Sequence, residues 1–232
     1  MNTEFLDCVE LGPAAADYAV IWLHGLGANG HDFEPIVPEI SLPAGKKVRF
    51  VLPHAPEIPI TVNSGIVMNA WYDIASMDFL DRQDELGIRV SETLLRKLIE
   101  REVARGVPDE RIFLVGFSQG GAIVLHTGLR YPKRLAGIMA LSSYLPLDLQ
   151  LNDERHEANQ HTPILMAHGT HDPVIHLKLG EMSRDYLRQL GYSVEWHQYY
   201  MEHTVHPDEI SDISQWFSSN IKELDHGHTR KS

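Results

Sequence analysis

Seven short runs rich in β-branched and aromatic residues recur along the chain, at residues 5–11, 18–24, 48–52, 112–115, 137–142, 164–168 and 194–199. The middle runs are nearly continuous in apolar residues, as strands buried on both faces of a mostly parallel sheet are. Helical patterns lie between them. Residues 85–105 place Leu86, Val90, Leu94 and Leu98 four apart, one stripe of an amphipathic helix, and Gly106 and Pro108 supply its stop. Residues 119–131 form a second helical stretch ending before Pro132, and 177–190 a third ending at Gly191. In the last, 207–224, Ile210, Ile213, Phe217 and Ile221 face inward. This alternation predicts a three-layer α/β fold in one domain spanning 1–232.

No internal repeat and no linker rich in Gly, Ser or Pro interrupts the pattern. The longest stretch without periodicity is 53–84, and loops of that length are usually functional. The polar tail, 225–232, is expected to fray.

Composition narrows the function. With 43% hydrophobic and 22% charged residues the chain is neither disordered nor fibrous. Twenty Lys and Arg against 32 Asp and Glu give a formal charge of −12, which repels phosphate backbones, so no nucleic acid partner is expected. No apolar run reaches the ~18 residues of a membrane span. The acidic N-terminal residues do not read as a secretory signal. Cys8 stands alone, excluding an intrachain disulfide framework and a Cys-type zinc site, and fits a reducing cytoplasm.

The sharpest motif is Gly116-Phe117-Ser118-Gln119-Gly120, between the run 112–115 and the helix from Gln119. Gly-x-Ser-x-Gly in a strand–turn–helix context holds a serine hydroxyl above the sheet on a strained turn, where it can act as nucleophile. The backbone N–H of Gln119, at a helix N-terminus, can donate to a developing oxyanion. A hydroxyl nucleophile needs a base, and the base an orienting carboxylate. In this architecture they follow in the order acid, then His. Asp172 follows the run 164–168 through Gly169-Thr170-His171, the expected place for the acid; Asp148 and Asp153 precede that run and are poorer rivals. His203 lies on the loop after the last run with room to reach back to Ser118. His206 abuts Pro207 and suits a helix cap, but stays open as an alternative base.

After the second run, His24-Gly25-Leu26-Gly27-Ala28-Asn29-Gly30 is placed to supply the second oxyanion donor. Gly25 and Gly27 allow the backbone to turn the Leu26 N–H toward the substrate, with Leu26 lining the acyl side. The same residues match Gly-x-Gly-x-x-Gly, the signature of a nucleotide-binding oxidoreductase. No helix clearly begins at Gly30, however, and no acid follows about 20 residues on.

His24-Gly-Leu-Gly27, Trp71-Tyr-Asp73, Gly116-Phe-Ser-Gln-Gly-Gly121, Leu141-Ser142, His168-Gly-Thr-His-Asp-Pro173 and Met201-Glu-His203, in this order and spacing, resemble the carboxylesterase/acyl-protein thioesterase (lysophospholipase-like) family of α/β-hydrolases. The resemblance covers nearly the whole chain. It implies an α/β-hydrolase fold without a large cap domain, and a triad of Ser118, Asp172 and His203 with Leu26 and Gln119 as oxyanion hole. It implies small-molecule acyl esters or thioesters as substrates, including acylated protein or lysophospholipid. Ile66, Met68 and Trp71 would flank an apolar acyl channel, and a homodimer is left open. Position 206, often Cys in that motif, is His here. No metal or organic cofactor is expected, since His171, His203 and His206 lack the carboxylate–His helical spacing of a metal site. A non-catalytic binding protein and a peptidase are the remaining alternatives. The first would not need all three triad groups, and the second usually needs a cap that this chain has little room for.

Overall fold

A computed structural model describes residues 5–76 and 82–229. Nine strands and five α-helices follow in chain order: β1 (Cys8–Leu11), β2 (Tyr18–Leu23), β3 (Val48–Pro53), β4 (Glu57–Ile60), β5 (Ile66–Asn69), α1 (Glu85–Ala104), β6 (Ile112–Phe117), α2 (Gln119–Arg130), β7 (Gly137–Leu141), α3 (Asp148–Glu154), β8 (Ile164–Gly169), α4 (Leu177–Gln189), β9 (Val194–Tyr199) and α5 (Pro207–Thr229). Seven strands form one sheet in the order β1-β3-β2-β6-β7-β8-β9. Only β1 runs antiparallel, and β2, β3 and β6 to β9 are all parallel. Among the described residues no large cap covers the sheet.

The near-continuous apolar strands are buried on both faces as their composition predicts. On β2, Ala19, Ile21 and Leu23 join α1, α2 and Leu187 of α4 in one core. Tyr18, Val20 and Trp22 alternate into a second core with Ile213, Trp216, Phe217 and Ile221 of α5. Because the strands are parallel, their C-terminal ends share one edge. The chain moves outward from β2 to β3 and then returns to pair β6 on the other side of β2. That reversal makes a crevice between the loops after β2 and β6, where ligands bind in open α/β sheets.

Three expectations need correction. In α1 the buried stripe is Ile88, Ser91, Leu95, Leu98, Ile99 and Glu102, while Leu86 and Val90 are exposed. The segment 53–84 is not one loop. β4 and β5 pair as an antiparallel hairpin, Ile58 opposite Met68, and residues 77–81 lie outside the described ones. The tail is helical to Thr229, and Asp225 is held by the Tyr18 hydroxyl at 2.8 Å and Lys46 at 2.6 Å, while 230–232 fall outside the described residues.

Candidate active site

Ser118 stands between β6 and α2 with φ 53° and ψ −119°, a backbone conformation that L-residues adopt only under constraint. Its neighbours supply the constraint. The Ser118 N–H donates to Leu141 O at 2.9 Å, and Ser118 O accepts from Ala122 N–H at 3.1 Å and the Ser143 hydroxyl at 2.7 Å. A Cβ at Gly116 would overlap the Gly120 carbonyl, and one at Gly120 would overlap the Leu23 carbonyl. Both glycines are therefore dictated by the close approach of helix, turn and strand.

Asp172 lies past the end of β8, buried, with its two oxygens in separate employment. Oδ1 accepts the Val174 and Ile175 N–H groups at 2.8 and 2.9 Å. Oδ2 lies 2.6 Å from His203 Nδ1. Burial pushes the carboxyl pKa up, but the His203 bond and charge, with the two backbone N–H donors, outweigh it and hold it below the usual range. His168 adds support from beneath: its Nε2 bonds Ile175 O at 2.7 Å and lies 3.6 Å from Asp172 Oδ2.

The loop after β9 carries His203 to this carboxylate. Thr170 N–H bonds Tyr199 O, and His171 N–H bonds Met201 O, so the acid and base loops travel together. The His203 ring packs on Phe117, centroids 4.8 Å apart, next to the serine. His206 lies elsewhere. Its Nδ1 accepts the Asp208 N–H at 3.2 Å, capping α5, and its ring stacks on Tyr199. His171 packs on Tyr200. Among the described residues no group of three His, Cys, Asp or Glu is arranged to hold a metal ion.

The loop after β2 lies against the serine. A Cβ at Gly25 would sit 3.3 Å from the Phe117 ring and 3.4 Å from Ser118 Cβ. Gly27 takes φ +75° and donates its N–H to Asn69 O at 2.8 Å, so the turn around Leu26 is tied to the end of β5. Gly30 opens only a 3₁₀ turn over Gly30–Phe33, too short for the helix a nucleotide site requires. The arrangement is thus a strained serine, a buried carboxylate–imidazole pair and a glycine-bounded turn on one sheet edge. The chemistry it suits is acyl transfer.

The model of the phospholipase/carboxylesterase family matches residues 7–221. The chain belongs to this family. It is 41% identical to acyl-protein thioesterase 1 of Neurospora crassa over 96% of this chain and 95% of that protein. It is 40% identical to acyl-protein thioesterase 1 of Yarrowia lipolytica over 90% and 95%. Among solved structures, Zea mays acyl-protein thioesterase 2 superposes with TM-score 0.82 at 26% identity, covering 93% of this chain and 99% of that one. This member of the phospholipase/carboxylesterase family is accordingly a hydrolase of the α/β-hydrolase fold.

The three residues expected along an acyl channel separate. Ile66 is 61% exposed on the β4–β5 hairpin. Met68 is half-buried, its sulfur 3.6 Å from where a Cβ would stand at Gly27, beside the turn that carries Leu26. Trp71 is a correction. It is buried at 2% exposure, its indole N–H donates to His24 O at 2.9 Å, and it packs beneath the site instead of lining a channel.

The Gln119 side chain is a residue that sequence reasoning missed in this role. Its Oε1 accepts the Trp71 N–H and its Nε2 donates to Tyr72 O, both at 2.7 Å. The residue after the serine thereby clasps the segment leaving the hairpin.

Glu209 was also missed. It is buried in the first turn of α5, accepting the His206 N–H at 3.2 Å. Burial, with Asp212 nearby and against that single bond, pushes its pKa up to about 7. The unfolded chain gives up this proton near the ordinary Glu value, so the folded state is favoured at low pH and loses that advantage as pH rises toward 7. Glu209→Gln should match the wild type in unfolding free energy near pH 4 and exceed it by about 3 kcal/mol at pH 8. Urea melts across that range read the difference.

Proposed function

We propose that this chain is a serine hydrolase that cleaves carboxylic ester or thioester bonds of acyl substrates, with acylated protein as the preferred class. The arrangement that carries the reading is the Asp172–His203 pair, 2.6 Å apart and packed on Phe117, the residue before the strained Ser118. His203, oriented by Asp172, takes the Ser118 proton as the hydroxyl oxygen attacks the acyl carbon. The Leu26 and Gln119 N–H groups receive the developing oxyanion. The alcohol or thiol leaves with the proton from His203, which then activates water to release the acid from the acyl-enzyme. Acyl-protein thioesterase relatives at about 40% identity over nine-tenths of the chain support the thioester. The phospholipase description of the family keeps lysophospholipids as the second class.

Among the described residues no helix is long and apolar enough to cross a membrane. We read the chain as one domain and place it in a reducing cytoplasm, in keeping with the lone Cys8, whose thiol burial pushes up to about 11.

The test is hydrolysis of p-nitrophenyl esters from acetyl to palmitoyl, beside an S-palmitoyl-cysteine peptide and a lysophosphatidylcholine. The expected result is release from medium or long chains, with kcat/KM highest on the peptide thioester. Highest efficiency on the lysophospholipid would move the substrate to lipids. A folded protein inert toward all three would overturn the reading.

A further inference from the structure

The turn that carries Leu26 follows a buried histidine whose two ring nitrogens are both committed. The Ala55 backbone N–H donates to His24 Nε2 at 3.0 Å. A backbone N–H has only a proton to offer, so Nε2 carries a lone pair and the ring's single proton sits on Nδ1. Nδ1 lies 2.7 Å from Gly25 O, and that bond therefore runs from Nδ1–H to the carbonyl. Burial lowers the His24 pKa against the Gly25 bond and the charge of Asp32, with His54 adding to the fall. The neutral ring is the form both bonds require, because a second proton would oppose the Ala55 N–H.

The carbonyl of Gly25 and the N–H of Leu26 belong to one planar trans peptide and point in opposite directions. A bond that draws the Gly25 oxygen back toward β2 therefore turns the Leu26 N–H outward. The next peptide is fixed separately by Gly27 N–H on Asn69 O at 2.8 Å. The frame beneath is rigid as well, since the Trp71 indole donates to His24 O at 2.9 Å and the two rings lie 5.3 Å apart.

We propose that His24 is the positioning residue of the oxyanion hole, its Nδ1–H aiming the Leu26 N–H at the substrate oxygen. This rests on the reading of Leu26 as an oxyanion donor. Two variants divide the ring's bonds. His24→Asn keeps an amide donor near the place of Nδ1, and His24→Gln keeps an amide acceptor near the place of Nε2. A packing role makes the two equal, whereas an aiming role separates them.

The expected result is that His24→Gln lowers kcat about a hundredfold with KM little changed, and weakens a tetrahedral boronic acid adduct by the same factor. His24→Asn should stay within about tenfold of wild type. Equal losses in both variants, or a faster Gln variant, would overturn the proposal. On the wild-type protein, ¹⁵N shifts should show His24 protonated at Nδ1 and bare at Nε2, and the opposite tautomer would overturn it without any variant.

Replacing Leu26 by its α-hydroxy acid removes the N–H, and with it weakens Gly25 O as an acceptor for His24, and so tests the underlying reading. Unchanged kcat there would end both the reading and the inference. A slow ester variant beside a fast His24→Gln would leave the donor in place and end only the role of His24.

Discussion

Ser118→Ala is expected to lower kcat by roughly 10⁵-fold or more while leaving the unfolding midpoint nearly unchanged. The two halves of that outcome have separate causes. In the proposed mechanism the hydroxyl oxygen is the atom that forms the acyl bond, and no neighbouring group replaces it. The fold meets Ser118 through its backbone, with N–H on Leu141 and O on Ala122 and Ser143, and alanine keeps all three bonds. Alanine bears the same left-handed φ that serine bears, so the strain is retained as well. Hydrolysis of the preferred ester beside a thermal melt checks both halves. A variant that kept wild-type turnover would exclude the serine mechanism.

Asp172→Asn should cost about 10⁴-fold in kcat, with the fold again intact. The reason lies in how the carboxylate is held. Oδ1 accepts two backbone N–H groups, from Val174 and Ile175, and an asparagine can satisfy them only with its amide oxygen. Its NH₂ is then turned to where Oδ2 stood, against His203 Nδ1. The imidazole must accept there, which moves its proton to Nε2, the atom that has to take the proton of Ser118. The variant thus holds its base in the wrong tautomer. Asp172→Ala, which imposes no tautomer, is a useful comparison in the same pre-steady-state assay. An Asn variant within tenfold of wild type would remove Asp172 from the mechanism.

Much of this was legible in the chain because its constraints are local. A serine between glycines at a strand–helix junction is recognisable since the overlaps that exclude side chains at Gly116 and Gly120 arise within a few residues and the adjoining strand. The expected positions of acid and base come from chain order and from which loops succeed which strands. The choice of His203 over His206 agrees with the short Asp172 bond on one ring and the helix cap on the other.

What stayed hidden depends on partners remote in sequence. Trp71 reads equally as a pocket wall or as core, and only the His24 carbonyl and the Gln119 amide beside it separate the two. In α1, Leu86, Val90, Leu94 and Leu98 satisfy a helical period as well as Ile88, Leu95 and Leu98 do, so periodicity alone could not set the buried face. The β4–β5 hairpin escaped because its strands are four residues each and Pro59 interrupts the first. Arg49 looks like a charge misplaced in an apolar strand until Glu102 of α1 is found 2.8 Å from its Nε.

The clasp of Gln119 on Trp71 and Tyr72 has a consequence for redesign of the site. One amide joins the turn that carries Ser118 to the segment leaving the β4–β5 hairpin. The hairpin bears exposed side chains such as Ile66 and Val67, which are free to vary with little cost to packing. Its exit segment is not free, because any change that shifts Trp71 is transmitted to the residue beside Ser118. Substitution of the hairpin's outer side chains is thereby expected to leave the turn at Ser118 in place, while a shift of the hairpin's backbone path is expected to displace it.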